Sequence, residues 1–416
     1  MKRLNSSTVD IPRATRPRIV HFGLGAFHRA HQAVYTEAPW GIAAVAPRST
    51  DVVTALREQD LLYTVTDTTT RVIGSIVEAL HLGSDATRVG ELLASPDVTV
   101  VTLTITEKGY RSGPVIGALA AGLAGRFRRG GAPINVISCD NMTGNGRVLE
   151  RAVRESVTGP GRDEMLAWLA ESVAFPSTVV DRIVPATTPE HRAQAAEALG
   201  LDDAVPVFAE PYRQWVLEDA FAAEVPPWDG ARFVPDVTPF EQQKLRLLNG
   251  THSALAYLGS AAGYETIADV LASDWGEKFV RGFGAEAAAV LPGEHGPYVD
   301  QLVERFRNPA IRHRLSQIGS DGSLKLPERW FGTLRDTGSQ PLLELALAAW
   351  ARATEPGAST GMTDPRSGEL AACWSATDDV EAVRRLLRLI DAPDLDSLPK
   401  AVATHLPALR AGRVEL

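Results

Sequence analysis

Through the first 140 or so residues the apolar positions fall in short, largely β-branched runs, separated by stretches with helical spacing. Arg18 to Phe22, Ile42 to Ala46, Val98 to Ile105 and Ile134 to Cys139 are mostly apolar, as suits parallel strands buried on both faces. Helices are predicted between them. Phe27 to Thr36 follows the first run, and Pro114 to Arg128 carries apolar residues at helical spacing before ending at Gly130 and Gly131. Leu61 to Leu80 has a different pattern. Its alternation through Tyr63, Val65, Val72, Ile73 and Ile76, broken by Asp67 to Thr70, predicts an antiparallel hairpin attached to the parallel sheet. After about Pro239 helical patterns dominate, as in Pro341 to Ala353, and strand signals become scarce. The fold class that follows is α/β: a doubly wound domain over residues 1–235 and a mainly α-helical domain over 236–416, with Pro226 to Pro235 as the seam.

Composition narrows the function classes. A chain of 416 residues exceeds what one core usually organises, and its 44% hydrophobic and 22% charged residues are those of a globular protein. The net charge of -9 argues against nucleic acid as a partner. Two cysteines, Cys139 and Cys373, supply neither a disulfide framework nor a thiolate metal site, which points to a reducing cytoplasm. The first ten residues lack the apolar stretch of a signal peptide, and no run approaches a membrane span, so no membrane partner is expected. Nothing in the pattern speaks to oligomeric state.

Two local motifs carry candidate chemistry. Gly23-Leu24-Gly25-Ala26-Phe27-His28 follows the first strand and opens a helix, where backbone amides can receive a pyrophosphate. Gly23, Gly25, Ala26, Phe27 and His28 are therefore candidates for cofactor binding, although His28 occupies the place of the third glycine in G-x-G-x-x-G and must alter how the helix packs on the strand. At the end of the second strand an acid would hold an adenosine ribose, and Arg48 stands there instead. It either accepts a 2'-phosphate or is a solvated loop arginine, so NAD and NADP both stay open.

The second motif begins at Thr238-Pro239-Phe240-Glu241, which has the pattern of a helix start with Thr238 as N-cap and Glu241 closing a capping box. On a regular helix Glu241, Lys244, Asn249 and His252 would share an arc of roughly 140°. Taking a hydride from a secondary alcohol needs a base for the hydroxyl proton and donors for the developing alkoxide. Lys244 can be that base if burial and the nearby helix N-terminus disfavour its ammonium; Asn249 can donate to the oxygen and His252 can orient the substrate. The alternative is a surface ion pair between Glu241 and Lys244, with Asn249 and His252 satisfied by backbone.

The glycine segment continued through Arg29-Ala30-His31-Gln32-Ala33, together with Thr106-Glu107-Lys108-Gly109-Tyr110, Ser138-Cys139-Asp140-Asn141 and the Lys244, Asn249, His252 spacing, resembles the mannitol dehydrogenase family of polyol-specific long-chain dehydrogenases, which includes the fructuronate and tagaturonate reductases. The similarity runs from about residue 18 to about residue 330. It implies a Rossmann domain, a helical C-terminal domain, an NAD or NADP cofactor, no metal, and a lysine general acid/base. Position by position it makes Lys244 the base, Asn249 and Asn141 the alkoxide-stabilising pair, and His252 a substrate-positioning group. Glu241 matches an acid near a proton path, and Asp181, within Phe175-Pro176 to Ile183, matches a segment of substrate contact or architecture. Gln317 to Pro327 is similar to the substrate-facing segment, with Lys325 as its contact. Mannitol dehydrogenases tend to carry arginine where Gln317 stands, and Met142-Thr143-Gly144 replaces the family's more usual residues. The glutamine and the Gly-Ala-Phe-His loop look closer to the fructuronate reductases.

The expected function is thus zinc-independent, NAD(P)-dependent oxidation of a linear sugar alcohol or aldonate to its 2-keto sugar, D-mannonate/D-fructuronate ahead of D-mannitol/D-fructose. A small-molecule hexuronate would need a cation for its carboxylate, for which Lys325, Arg329 and Arg182 are candidates. Two other classes remain open: a non-catalytic nicotinamide-binding sensor, and a sugar-phosphate dehydrogenase, which would need a basic cluster that no local run of sequence supplies.

Overall fold

The structure, a computed structural model, describes residues 1–309 and 313–416. It divides into two compact units, Met1–Thr238 and Pro239–Leu416.

Unit 1 is built on six parallel strands: β1 (Pro17–Phe22), β2 (Gly41–Ala46), β3 (Ile76–His81), β4 (Val100–Leu103), β5 (Ile134–Ser138) and β6 (Val173–Ala174). Their spatial order is β3-β2-β1-β4-β5-β6, the doubly wound Rossmann order, which reverses direction between β1 and β4. Side chains alternate between two cores. Val20, Phe22, Val45, Val101, Leu103 and Val136 face one, packed by Leu93, Leu119, Leu123 and Leu149 from the crossover helices. Ile19, Ile42, Ala44, Val100 and Ile137 face the other, with Ala33, Leu56, Tyr63, Trp215 and Trp228. Burial on both faces is why these strands read as continuous apolar runs.

Several elements depart from the expectation. The hairpin is present as Tyr63–Thr66 against Thr70–Ile73, but Ile76 begins β3 of the parallel sheet. The hairpin's other neighbour is Val207–Phe208, in a separate three-stranded sheet. The helix expected over Phe27 to Thr36 is broken at His31 (φ -118°, ψ -96°) into Ala26–Ala30 and Gln32–Tyr35. Tertiary hydrogen bonds hold the break: His31 Nε2 lies 2.9 Å from the Gln214 carbonyl, Arg29 donates to Val205, and Tyr63 donates to the Arg29 carbonyl at 2.7 Å. The run Pro226 to Pro235 is part of unit 1: Arg232–Val234 pairs in parallel with Gln214–Glu218 and Trp228 is buried.

In unit 2 every regular element among the described residues is helical. Gly250–Ala261 is buried over nearly its whole length and packs on Pro341–Ala353, itself buried at Leu343 and from Leu345 to Ala351. No described helix is long and apolar enough to cross a membrane.

Candidate functional site

The sequence-derived cofactor residues of unit 1 collect at the carboxyl ends of the strands, where open α/β sheets bind ligands. Gly23 and Leu24 donate their amides to the Val45 carbonyl at 2.9 and 3.3 Å, so the loop after β1 is tied to the end of β2. On its other side Thr104, just beyond β4, donates its amide to Phe22 at 2.8 Å and its hydroxyl to the Gly23 carbonyl at 3.0 Å. Gly23 has φ +115°, and a β-carbon there would sit 2.1 Å from the Thr104 carbonyl oxygen. Gly25 is different. It is exposed, and a β-carbon would meet nothing nearer than the Gly23 carbonyl at 3.7 Å. Ala26, Phe27 and His28 follow as the first turn of helix, whose amides have no partner inside it.

With only five residues before the break, this helix has little macrodipole, so the amides rather than the dipole are what the loop offers an anion. The His28 side chain is not at the loop surface. Its ring stacks on His21 of β1 with centroids 3.5 Å apart and planes 10° from parallel, filling the helix–strand interface that a third glycine would leave closed. Burial pulls His21 down to about 3, and burial followed by the charges of His21, Arg29 and His31 holds His28 well below the ordinary imidazole value. Arg48 is exposed two residues beyond β2.

Asn141 is exposed in the turn after β5, and its neighbours fix that turn. The buried Asp140 carboxylate accepts from the amides of Ile105 and Thr106 at 3.0 and 2.9 Å and from the Tyr110 hydroxyl at 2.6 Å. Burial pushes its pKa up against these hydrogen bonds. Thr106 takes φ +64° and ψ 161°, a region almost reserved for glycine, and Asp140 is what holds it there. The Asp140 carbonyl accepts from Met142 and from the Asn145 side chain, which also pairs with Thr178 at 2.9 Å through both its oxygen and its nitrogen. Thr178 opens the strand that ends at buried Asp181. Sequence reasoning did not single out Asp140 or Thr106, although both lie in motifs that carried the resemblance.

Arg182 is a correction. It was a candidate cation for a substrate carboxylate, but its side chain is fully enclosed and donates to Asp67 at 2.7 Å, to Ala30 at 2.5 Å and to the Glu210 carbonyl at 2.9 and 3.0 Å. It is an internal clamp of unit 1.

The lysine helix begins at Thr238, the last residue of unit 1 and one residue early, and Asp236 accepts the Thr238 amide at 2.9 Å. The helix widens to i→i+5 bonding over Lys244–Asn249 before Gly250–Ala261 continues as α-helix. The extra residue invalidates the 3.6-residue arc across this stretch; such π-segments recur at functional sites. Lys244 is half-buried, while Asn249 and His252 are buried. The carbonyls at the end of the wide turn are held from helix Gly322–Thr337: Arg329 reaches Asn249 at 3.4 Å and the Ser253 hydroxyl at 2.6 Å, and Trp330 donates to Gly250 at 3.0 Å.

His252 is the hub of this part. Its ring stacks on Phe306 (centroids 5.1 Å, 13°) and meets His313 edge-on (4.8 Å, 63°). Burial, then the charges of His313, Arg329, Arg305 and Lys325, holds His252 well below its ordinary value, and burial with Lys325 lowers His313. Lys325 donates to the Ser320 carbonyl at 2.6 Å and lies 3.3 Å from that of Ile318. The basic cluster that no single stretch of sequence showed is thus assembled by folding. Gln317 is exposed on the short helix Leu315–Gly319. His313 and Arg305 were missed because nothing in their local spacing connects them to His252. Among the described residues no three His, Cys, Asp or Glu side chains gather as a metal site would require.

Comparison with known proteins agrees with this architecture. Residues 17–230 match the mannitol dehydrogenase Rossmann domain and residues 236–410 the mannitol dehydrogenase C-terminal domain. The D-mannonate oxidoreductase of Escherichia coli (strain K12) is 40% identical, over 91% of this chain and 89% of that protein. The mannitol 2-dehydrogenase of Aspergillus terreus is 35% identical, over 89% and 85%. Among solved structures, the Pseudomonas fluorescens mannitol 2-dehydrogenase ternary complex with NAD and D-mannitol superimposes with a TM-score of 0.81 at 32% identity, covering 98% of this chain and 96% of that one. With both domains matched in order across nearly the whole chain, the protein belongs to the mannitol dehydrogenase family.

Proposed function

We propose that the protein catalyses reversible hydride transfer at C2 of a linear sugar acid or polyol, with D-mannonate/D-fructuronate as the preferred pair. The observation that carries the reading is the lysine helix: Lys244, Asn249 and His252 lie along one continuous helix, and Lys325 and Arg329 fold back close enough to bias the charge of His252. A nicotinamide cofactor, when bound, supplies the hydride acceptor. Gly23, Gly25, Ala26, Phe27 and the His28 backbone would hold its phosphates, and the closeness of Gly23 to Thr104 with the openness of Gly25 fits that task. Arg48 stands where NAD and NADP differ.

In the oxidation direction Lys244 accepts the C2 hydroxyl proton while Asn249 and Asn141 donate to the oxygen as negative charge grows. His252 holds a neighbouring hydroxyl. Lys325 and Arg329 are the cations proposed for a carboxylate, with Asp181 and Gln317 as further substrate contacts. The similarity to the Escherichia coli D-mannonate oxidoreductase supports mannonate, and that to the Pseudomonas protein solved with NAD supports NAD.

The test is absorbance of reduced nicotinamide with NADH and NADPH against fructuronate, tagaturonate, fructose and fructose 6-phosphate. Fructuronate is expected to give the highest kcat/KM. Preference for fructose would favour the mannitol reading, and preference for fructose 6-phosphate a phosphate-reading basic cluster. Cofactor binding without turnover of any of them would favour the sensor. Lys244→Ala is expected to lower kcat by about 10²–10⁴-fold while cofactor affinity stays within twofold. Near-normal turnover in that variant removes lysine from the mechanism.

A further inference from the structure

Two buried imidazole nitrogens in unit 2, Nε2 of His252 and Nδ1 of His313, have no hydrogen-bond partner among the described residues. The two rings are in edge contact at 4.8 Å, and Phe306 stacked on His252 fixes the orientation of that ring. One unpaired buried nitrogen can be a packing compromise, but two on rings in contact mark a place where one added oxygen atom would satisfy both. We infer that His313 is a second substrate-holding imidazole, sharing with His252 one hydroxyl oxygen of the sugar chain beyond the reacting carbon. The inference rests on the proposed sugar site around Lys244 and His252.

The chemistry of the pair selects the ligand group. Burial and the neighbouring cations keep both rings neutral, and a neutral imidazole offers one N–H donor and one acceptor. A hydroxyl donates to one ring while accepting from the other, so it satisfies both in any combination of tautomers that presents one of each. A carboxylate accepts only and would need both nitrogens protonated; an ammonium donates only and would be repelled by Lys325, Arg329 and Arg305. The carboxylate of a sugar acid therefore belongs with the cations and the hydroxyl with the histidines. His28, whose ring nitrogens also lack a partner among the described residues, lies flat on His21 inside unit 1, away from the cations around His252.

The experiment compares wild type, His313→Ala and His313→Gln on the best substrate of the panel and on analogues lacking single hydroxyls beyond C2. His313→Ala is expected to raise KM about tenfold with kcat changed less than threefold, and to leave the melting temperature and cofactor affinity unchanged. His313→Gln, which keeps a donor and an acceptor, is expected to recover most of that loss. One deoxy analogue should show the same tenfold loss with wild type and no further loss with His313→Ala. A KM within twofold of wild type in His313→Ala, or equal loss on every analogue, overturns the assignment. Absence of turnover by the wild type on any C2 sugar would instead overturn the proposed function itself.

Discussion

The glycine loop contains a paired test, because Gly23 and Gly25 are needed for different physical reasons. A methyl at Gly23 would lie 2.1 Å from the Thr104 carbonyl oxygen and 2.5 Å from its hydroxyl, at φ +115°. Reaching the 3.4 Å of ordinary contact requires a separation of roughly 1.3 Å between the loop and the end of β4. That movement breaks the Thr104 amide bond to Phe22 and the Thr104 hydroxyl bond to Gly23. Each is worth about 1 kcal/mol net, and a non-glycine residue in this backbone region adds about 1–3 kcal/mol, so Gly23→Ala should destabilise unit 1 by roughly 3–5 kcal/mol. At Gly25 the methyl has space and φ is -110°, so Gly25→Ala should cost less than about 1 kcal/mol. If the loop cradles a pyrophosphate, however, that methyl occupies the approach, and dinucleotide affinity should fall at least about tenfold. Urea denaturation followed by tryptophan fluorescence measures the first quantity, and calorimetric titration with NADH and NADPH the second. Wild-type dinucleotide affinity in Gly25→Ala would show that the loop does not face the phosphates. Wild-type stability in Gly23→Ala would show that the contact with Thr104 is not as drawn.

Acid should destabilise the protein through its buried imidazoles. His21 is held at about 3 in the folded chain against an ordinary 6.5, so between those values the unfolded chain binds the extra proton and stability falls as pH drops. At pH 5 the loss from His21 alone is about 2 kcal/mol, with His28 and His252 acting in the same sense. Denaturation at pH 8, 6.5 and 5 should show it, and His21→Asn should flatten the slope; no change in slope would remove His21 as the source. Asp140→Asn replaces a carboxylate that accepts three hydrogen bonds with an amide that must turn donors toward them, at a cost of about 2–4 kcal/mol. A denaturation midpoint equal to wild type would mean that Thr106 is held by something else.

The parallel strands, the Pro114–Arg128 and Pro341–Ala353 helices and the glycine turn were legible because each depends on neighbours in sequence. Burial on both faces writes itself as an apolar run, and a tight turn as glycine. Lys244, Asn249 and His252 were legible as a helical set because six residues of wide turn do not take them off the helix. The long Gly-Ala-Phe-His-Arg-Ala-His-Gln motif, by contrast, proved to be largely packing: His28, Arg29, His31 and Gln32 are all buried.

What the amino-acid order determined alone is therefore periodicity, turn positions and which residue types are present. Tertiary structure decided which polar groups meet. The break at His31, the enclosure of Arg182 by Asp67 and Glu210, the π-turn braced by Arg329 and Trp330, and the contact of His252 with His313 all join residues far apart in the chain. Local pattern reports whether a side chain faces a core or solvent. The partner that satisfies a buried polar group is chosen only when distant segments are brought together, and the same histidine or arginine becomes packing, clamp or binding group according to what it then faces.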